Sequence, residues 1–229
     1  MVILSTIVAV IGLMRDNVAI EIGAMVLAPL LGPNMALSLA TALGDMDLAR
    51  RALKAAGAGI LTAFVLSMGI ALLFRVNPNS PEIISRTNVG LGDVGLALAS
   101  GVAGALAFTT GVSATLVGVM VAVALLPPLV SSGLLLGAGQ RGAALGALLL
   151  LLTNLICVNL AGVVTFMVQG IHPARWWEAA RARKATRIAV ATWAALLLAL
   201  VGIIILSQKK QDHRLFPSHV SDAPPRQAP

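Results

Sequence analysis

Gly23 to Pro33 reads GAMVLAPLLGP, and Gly118 to Pro128 reads GVMVAVALLPP, so six of eleven positions match across an offset of 95 residues. Carried without a gap from Gly23 to Leu53, the offset gives eleven identities in thirty-one, adding Leu39/Leu134, Gly44/Gly139, Ala49/Ala144, Ala52/Ala147 and Leu53/Leu148. A Met-Val, a Leu-Leu and a Pro kept at fixed spacing indicate an internal duplication. Each copy sets proline in the middle of a long uncharged segment, Pro29 and Pro33 in the first, Pro127 and Pro128 in the second. Proline lacks an amide proton and clashes with the preceding turn, which predicts a broken or kinked helix near mid-membrane in each copy. Paired, interrupted apolar segments in two related halves point to a transporter's binding site.

The composition sets the medium. The chain is 58% apolar and only 11% charged, and its charge-free runs exceed eighteen residues, which assigns it to a membrane. A net charge of +7 would suggest nucleic acid in a soluble domain. Here the bases sit in short runs between apolar segments, where they set topology and meet lipid phosphate, so membrane lipids are the expected partners and nucleic acid is excluded. The one cysteine, Cys157, lies in an apolar segment and can form neither an intrachain disulfide nor a thiolate cluster. His172, His213 and His219 fall in a loop and a polar tail; no metal site and no cofactor is expected.

Taken in order, the chain reads as an all-α, multi-pass membrane protein of about seven spans. Residues 1–74 form a first repeat, 75–93 a connecting loop and 94–168 a second repeat. A basic interfacial segment at 169–187, a final span at 188–207 and a disordered tail at 208–229 complete it. Met1 to Met14 is short for a span, about 21 Å of helix against a hydrocarbon core of about 30 Å, and reads as a helix lacking its first turns, with a soluble region before it. The second span, Ile22 to Leu43, carries the first break and ends at Gly44. Val94 to Gln140 holds no Lys, Arg, Asp or Glu and divides near Gly111 to Ser113. Small residues at Ala97, Gly101 and Ala105, and at Ala99, Ala103 and Ala107, predict that both faces of the fourth span touch other helices, at the centre of the bundle. Three crossings per half would make the second half enter from the opposite side, an inverted repeat; re-entrant hairpins at the prolines would make the halves parallel. Arg175, Trp176, Trp177, Arg181, Arg183, Lys184 and Arg187 read as an interfacial helix on anionic headgroups or a partner. Eight bases against six favour an inside N-terminus.

The stretches GLMRDNVAIEIGAMVLAPLLGPNMALSLATALGD from Gly12, GVMVAVALLPPLVSSGLLLG from Gly118 and LLLLTNLICVNLAG ending at Gly162 resemble the prokaryotic membrane proteins grouped as domain of unknown function 389. The resemblance covers about Met1 to Met167. It implies a multi-span hydrophobic domain, in many members preceded by a soluble region, and carries no activity with it. Glu21 departs from the family, in which an apolar residue is expected.

The candidate solute site comprises Pro29, Gly32, Pro33, Asn34, Pro127, Pro128, Ser131 and Ser132. A broken helix frees backbone carbonyls and amides at membrane depth. Asn34, Ser131 and Ser132 either line a cavity there or satisfy the freed backbone groups. Thr153, Asn154 and Asn159 are expected to bond between helices. Glu21, near a helix start, is either an interfacial group reaching Arg15 or water, or a proton or ion site. Asp45, Asp47 and Asp93 read as helix caps. The functional expectation is a transporter or permease for a small solute, in a prokaryotic inner membrane, with a homo-oligomer left open. The alternative is a membrane scaffold or sensing subunit without transport. No Ser/His/Asp set, carboxylate pair or His-x-x-x-His occurs in the spans, so no enzyme is expected.

Overall fold

The computed structural model describes residues 1–111, 114–171, 188 and 190–202. Among the described residues up to 171 the chain forms α1 (Val2–Met14), α2 (Val18–Leu27), α3 (Leu31–Leu43), α4 (Met46–Leu73), α5 (Pro81–Ser85), α6 (Leu91–Thr110), α7 (Ala114–Gly137) and α8 (Arg141–Val168). Among the described residues α4, α6 and α8 are long and apolar enough to cross a membrane, and α2 with α3 makes a fourth if the bent pair is one span. Val2–Met14, Val121–Gly137 and Val190–Gly202 are shorter apolar helices. The basic segment from Arg175 to Arg187, with Trp176, Trp177, Arg181, Arg183 and Lys184, lies outside the described residues, as does the tail.

Capping residues fix the ends. Asn17 Oδ1 accepts from the Ile20 amide at 3.1 Å and starts α2. Asp45 Oδ1 accepts from Asp47 and Leu48 and starts α4, while Gly44 ends α3 in the left-handed region at φ 66°. Asp93 returns to the Gly90 amide at 2.8 Å. Asp47 does not cap. It stands in the first turn of α4, where its charge faces the helix dipole, with Arg50 3.9 Å away.

The bundle is organised around α7 and α8 rather than α6. α7 touches α1, α2, α3, α4, α6 and α8, and its residues from Ala124 to Leu135 are buried without interruption. The sequence placed α6 at the centre because small residues line two of its faces. The face of Ala97, Gly101 and Ala105 is buried, with Gly101 against α8, whereas the second face is covered only in part: Ala107 is buried, Ala103 half-buried and Ala99 exposed. Small residues permit close approach on a face but do not create a partner for it.

The two proline segments differ. α2 and α3 meet at a bend of 55° across residues 28–30, as the first copy predicts. α7 runs unbroken through Pro127 and Pro128, so of the two outcomes expected for the second copy, a break or a kink, the break does not occur. The reason lies in the neighbouring helix. Pro128 cannot donate to the carbonyl of Ala124, and Asn154 of α8 donates its side-chain amide there at 2.7 Å.

Residues 75–93 are more than a linker. Ser80 bonds the Leu13 carbonyl at 3.3 Å and the Asp16 carboxylate, and the Glu82 amide donates to Asp16 at 3.2 Å. Ile83 is fully buried, so α5 is fastened onto the turn between α1 and α2.

Candidate functional site

The break follows from local chemistry. A residue before proline is pushed out of the α region, and Ala28, before Pro29, adopts φ −77° and ψ 117°. Pro29 and Pro33 together remove two amide donors within about one turn. The last carbonyls of α2 and the first amides of α3 thereby lose intrahelical partners, at the point where α3 passes α4 and α8.

A cavity of about 750 Å³ opens at this point. Ala28 to Asn34 form one wall, Ala55, Ala58, Gly59 and Thr62 of α4 another, and Leu125, Leu129, Leu151 and Leu155 the floor. Among its lining residues only Asn34 and Thr62 have polar side chains. Pro29, Gly32, Pro33 and Asn34 of the candidate set are therefore together in one site. Pro127, Pro128, Ser131 and Ser132 are not in it. They are buried within the bundle, because the unbroken α7 turns them inward.

Asn34 serves the backbone and a neighbouring helix at once. Its Nδ2 donates to the Leu30 carbonyl at 2.7 Å, and its Oδ1 accepts from Asn159 Nδ2 at 3.1 Å. Ser38 Oγ lies 3.1 Å from the Asn34 carbonyl and 3.2 Å from Asn159 Oδ1, and its one proton serves either. This network ties α3 to α8 behind the break and holds Asn34 at 2% exposure. Asn154 and Asn159 thus make the interhelical bonds expected of them. Ser132 returns to the Leu129 carbonyl at 2.7 Å, and Ser131 Oγ is buried without a partner.

Glu21 is separate from the cavity. It is 1% exposed and pairs with Arg86 of the connecting segment at 3.5 Å, not with Arg15. Arg86 also meets Glu82 at 3.7 Å. Glu21 Oε2 and Arg86 Nε are buried and without hydrogen-bond partners, so the pair is held by packing rather than by a saturated network.

Three features had no signal in the sequence strong enough to find them. Ser38 sits four residues after Asn34, which places both on one face of α3, but Asn159 arrives from α8. The outward stripe of α4 at Ala55, Ala58, Gly59 and Thr62 has helical spacing yet reads like any apolar span. Arg86 lies 65 positions from Glu21, in what reads as loop.

A family model described as a domain of unknown function, number 389, matches residues 25–160. An uncharacterized protein of Methanocaldococcus jannaschii is 42% identical over 205 residues, covering 90% of this chain and 64% of its own length. The chain therefore spans less than two thirds of that curated relative. No solved structure matches.

Proposed function

The chain belongs to the domain of unknown function 389 family, and on that premise we propose that it is a multi-pass transporter or permease of a prokaryotic cell membrane, whose solute site is the cavity at the α2–α3 break. The observation that carries this reading is the break itself, which opens on a cavity walled by both repeats. A helix interrupted at depth supplies unpaired backbone groups and helix-end dipoles to whatever occupies the space beside it.

The same reading has about seven crossings in two inverted halves, and three observations support it. Exchanging α1 with α6, the α2–α3 pair with α7, and α4 with α8 leaves the main pattern of helix neighbours unchanged. Thus α3 meets α8 as α7 meets α4, α1 meets α4 as α6 meets α8, and α1 meets α7 as α3 meets α6. The repeat offset also carries one tight contact onto another. A Cβ at Gly162 would fall 2.7 Å from Ser38 Oγ, and one at Gly133 would strike Ser67. Ser38 and Gly133 are 95 positions apart, as are Ser67 and Gly162.

The third observation concerns direction. α4 has 28 residues, about 42 Å, and the stretch from Phe74 to Ser80 reaches at most about 24 Å. Ser80 nevertheless bonds the α1–α2 turn. A re-entrant hairpin at the prolines would leave the end of α4 a full span away from that turn. A bend of 55° that carries the chain across fits the contact, and it gives each half an odd number of crossings.

The test is solute flux into liposomes bearing the purified protein, read over a panel of labelled small solutes. Pro33→Ala, which restores a donor at the break, and Asn34→Leu, which removes the tie to Asn159, are expected to lower flux by about tenfold or more. Unchanged flux in both variants removes the site. The burial of Pro127 and Pro128 among side chains favours a second reading, a scaffold or sensing subunit, and absence of flux for every solute in the panel would support it.

A further inference from the structure

α4 is about 12 Å longer than a hydrocarbon core of about 30 Å, and the surplus lies at its beginning. Asp47, Arg50, Arg51 and Lys54 all fall before Ala55, and no charge follows until the helix ends at Leu73. Ala55 to Leu73 is about 28 Å of apolar helix, so Ala55 marks the edge of the hydrocarbon and Arg51 and Lys54 stand at headgroup level. Arg50 is occupied by Asp47. Arg51 reaches only the Asp47 carbonyl, at 3.4 Å, and neither Arg51 nor Lys54 is in an ion pair among the described residues.

Arg51, Ala55, Ala58 and Thr62 follow one another at spacings of four, three and four, on one helix face. From Ala55 onward that face is the outer wall of the cavity. A second depression, of about 420 Å³, continues from Thr62 past Leu61, Val65 and Leu66 to Ile3 of α1. Together they extend about 16 Å along α4 from Ala55 to Leu66, half the hydrocarbon core and hence the depth of one leaflet. The polar side chains offer little to a polar ligand. Thr62 Oγ1 is spent on the Ala58 carbonyl at 2.7 Å, and Asn34 on Leu30 and Asn159.

We infer that this cavity and groove hold one anionic phospholipid of the adjoining leaflet, with its phosphate against Arg51 and Lys54 and an acyl chain laid from Ala55 to Leu66. Dispersion contacts with the leucine floor hold the chain, and the two unpaired bases select the headgroup. The inference rests on the cavity named above as the solute site and gives that site its ligand class, an acyl-chain amphiphile entering sideways from the bilayer.

The experiment uses the full chain in phosphatidylcholine nanodiscs containing a minority of phosphatidylglycerol with a mid-chain diazirine, with adducts mapped by mass spectrometry after irradiation. Adducts are expected on Leu125, Leu129 and Leu151, which are buried against the bundle exterior but line the cavity. Arg51→Gln with Lys54→Gln should lower their yield roughly tenfold, and Arg141→Gln should leave it unchanged. Ala58→Phe, which fills the groove and keeps the charges, should abolish it. Adducts confined to exposed Leu72 and Leu145 in the intact chain, or an undiminished yield in the double Gln variant, would overturn the inference. Solute flux measured on the same preparation in liposomes separates the two readings. Adducts without flux sink the transport reading alone, and flux without adducts on the three leucines sinks the lipid site alone.

Discussion

Asn154 shows what one side chain does for a helix. It lies about four turns of α8 from either cap, and its amide replaces the donor that Pro128 lacks, at the Ala124 carbonyl. Asn154→Leu would leave that carbonyl buried and unpaired, and the expected cost is about 1–3 kcal/mol, read as a lower midpoint of thermal unfolding in detergent. Ser132→Ala, which removes only a bond to the carbonyl three residues back, should change the midpoint little, within about 0.5 kcal/mol. A reversed order of these two effects would refute the account of why α7 stays whole. The sequence announces that an asparagine at this depth needs a partner, since hydrocarbon offers none. It does not announce which carbonyl, because Asn154 and Ala124 are neighbours only after α7 and α8 have packed.

At the scale of elements, two copies of one motif fold differently. In the first copy Pro29 and Pro33 stand a turn apart, Ala28 is forced into an extended conformation, and the helix parts. In the second, Pro127 and Pro128 share a turn, and a neighbouring amide restores one of the lost bonds. The contacts that position these helices include two serines of the first four helices, each pressed on a glycine of α7 or α8: Ser67 on Gly133 and Ser38 on Gly162. Gly162→Ala should cost about 1–3 kcal/mol by overpacking against Ser38, and Ser38→Gly added to it should recover much of that loss. Recovery would be measured as a double-mutant coupling in thermal unfolding, and strict additivity of the two changes would show that the pair does not set the α3–α8 distance. Helix ends were legible beforehand at Gly44, Asp45 and Asp93, because capping is decided within four residues.

For the whole molecule, the connecting segment carries the most information about topology. Docking of α5 on the α1–α2 turn, through Ser80, Glu82 and Arg86, brings the end of the first half back to the level at which α2 began. In the inverted arrangement Asn79 and Gln140 face one side of the membrane and Asp45 the other. Single cysteines at these exposed positions, in a Cys157→Ser background, should therefore react with a membrane-impermeant maleimide as one pair and one opposite. Asp45 and Gln140 labelled from the same side would favour parallel halves. The pair of buried Glu21 and half-buried Arg86 belongs to this scale as well, since its partners are brought together by α1, α2 and the segment after α4 and not by either helix alone.

The amino-acid order alone determined that the chain is built from apolar helices, that one stretch recurs at an offset of 95 residues, where several of the helices start and stop, and that Pro29 and Pro33 interrupt a helix. Each of these depends on interactions within a few residues or on a repeat visible at constant offset. Only the tertiary structure decided that the second proline copy stays continuous, that α7 rather than α6 is the hub, that Glu21 meets Arg86, and that the cavity belongs to one break and is almost wholly apolar. Those outcomes depend on which groups from distant segments arrive within hydrogen-bonding or van der Waals reach, and sequence periodicity holds no record of that distance.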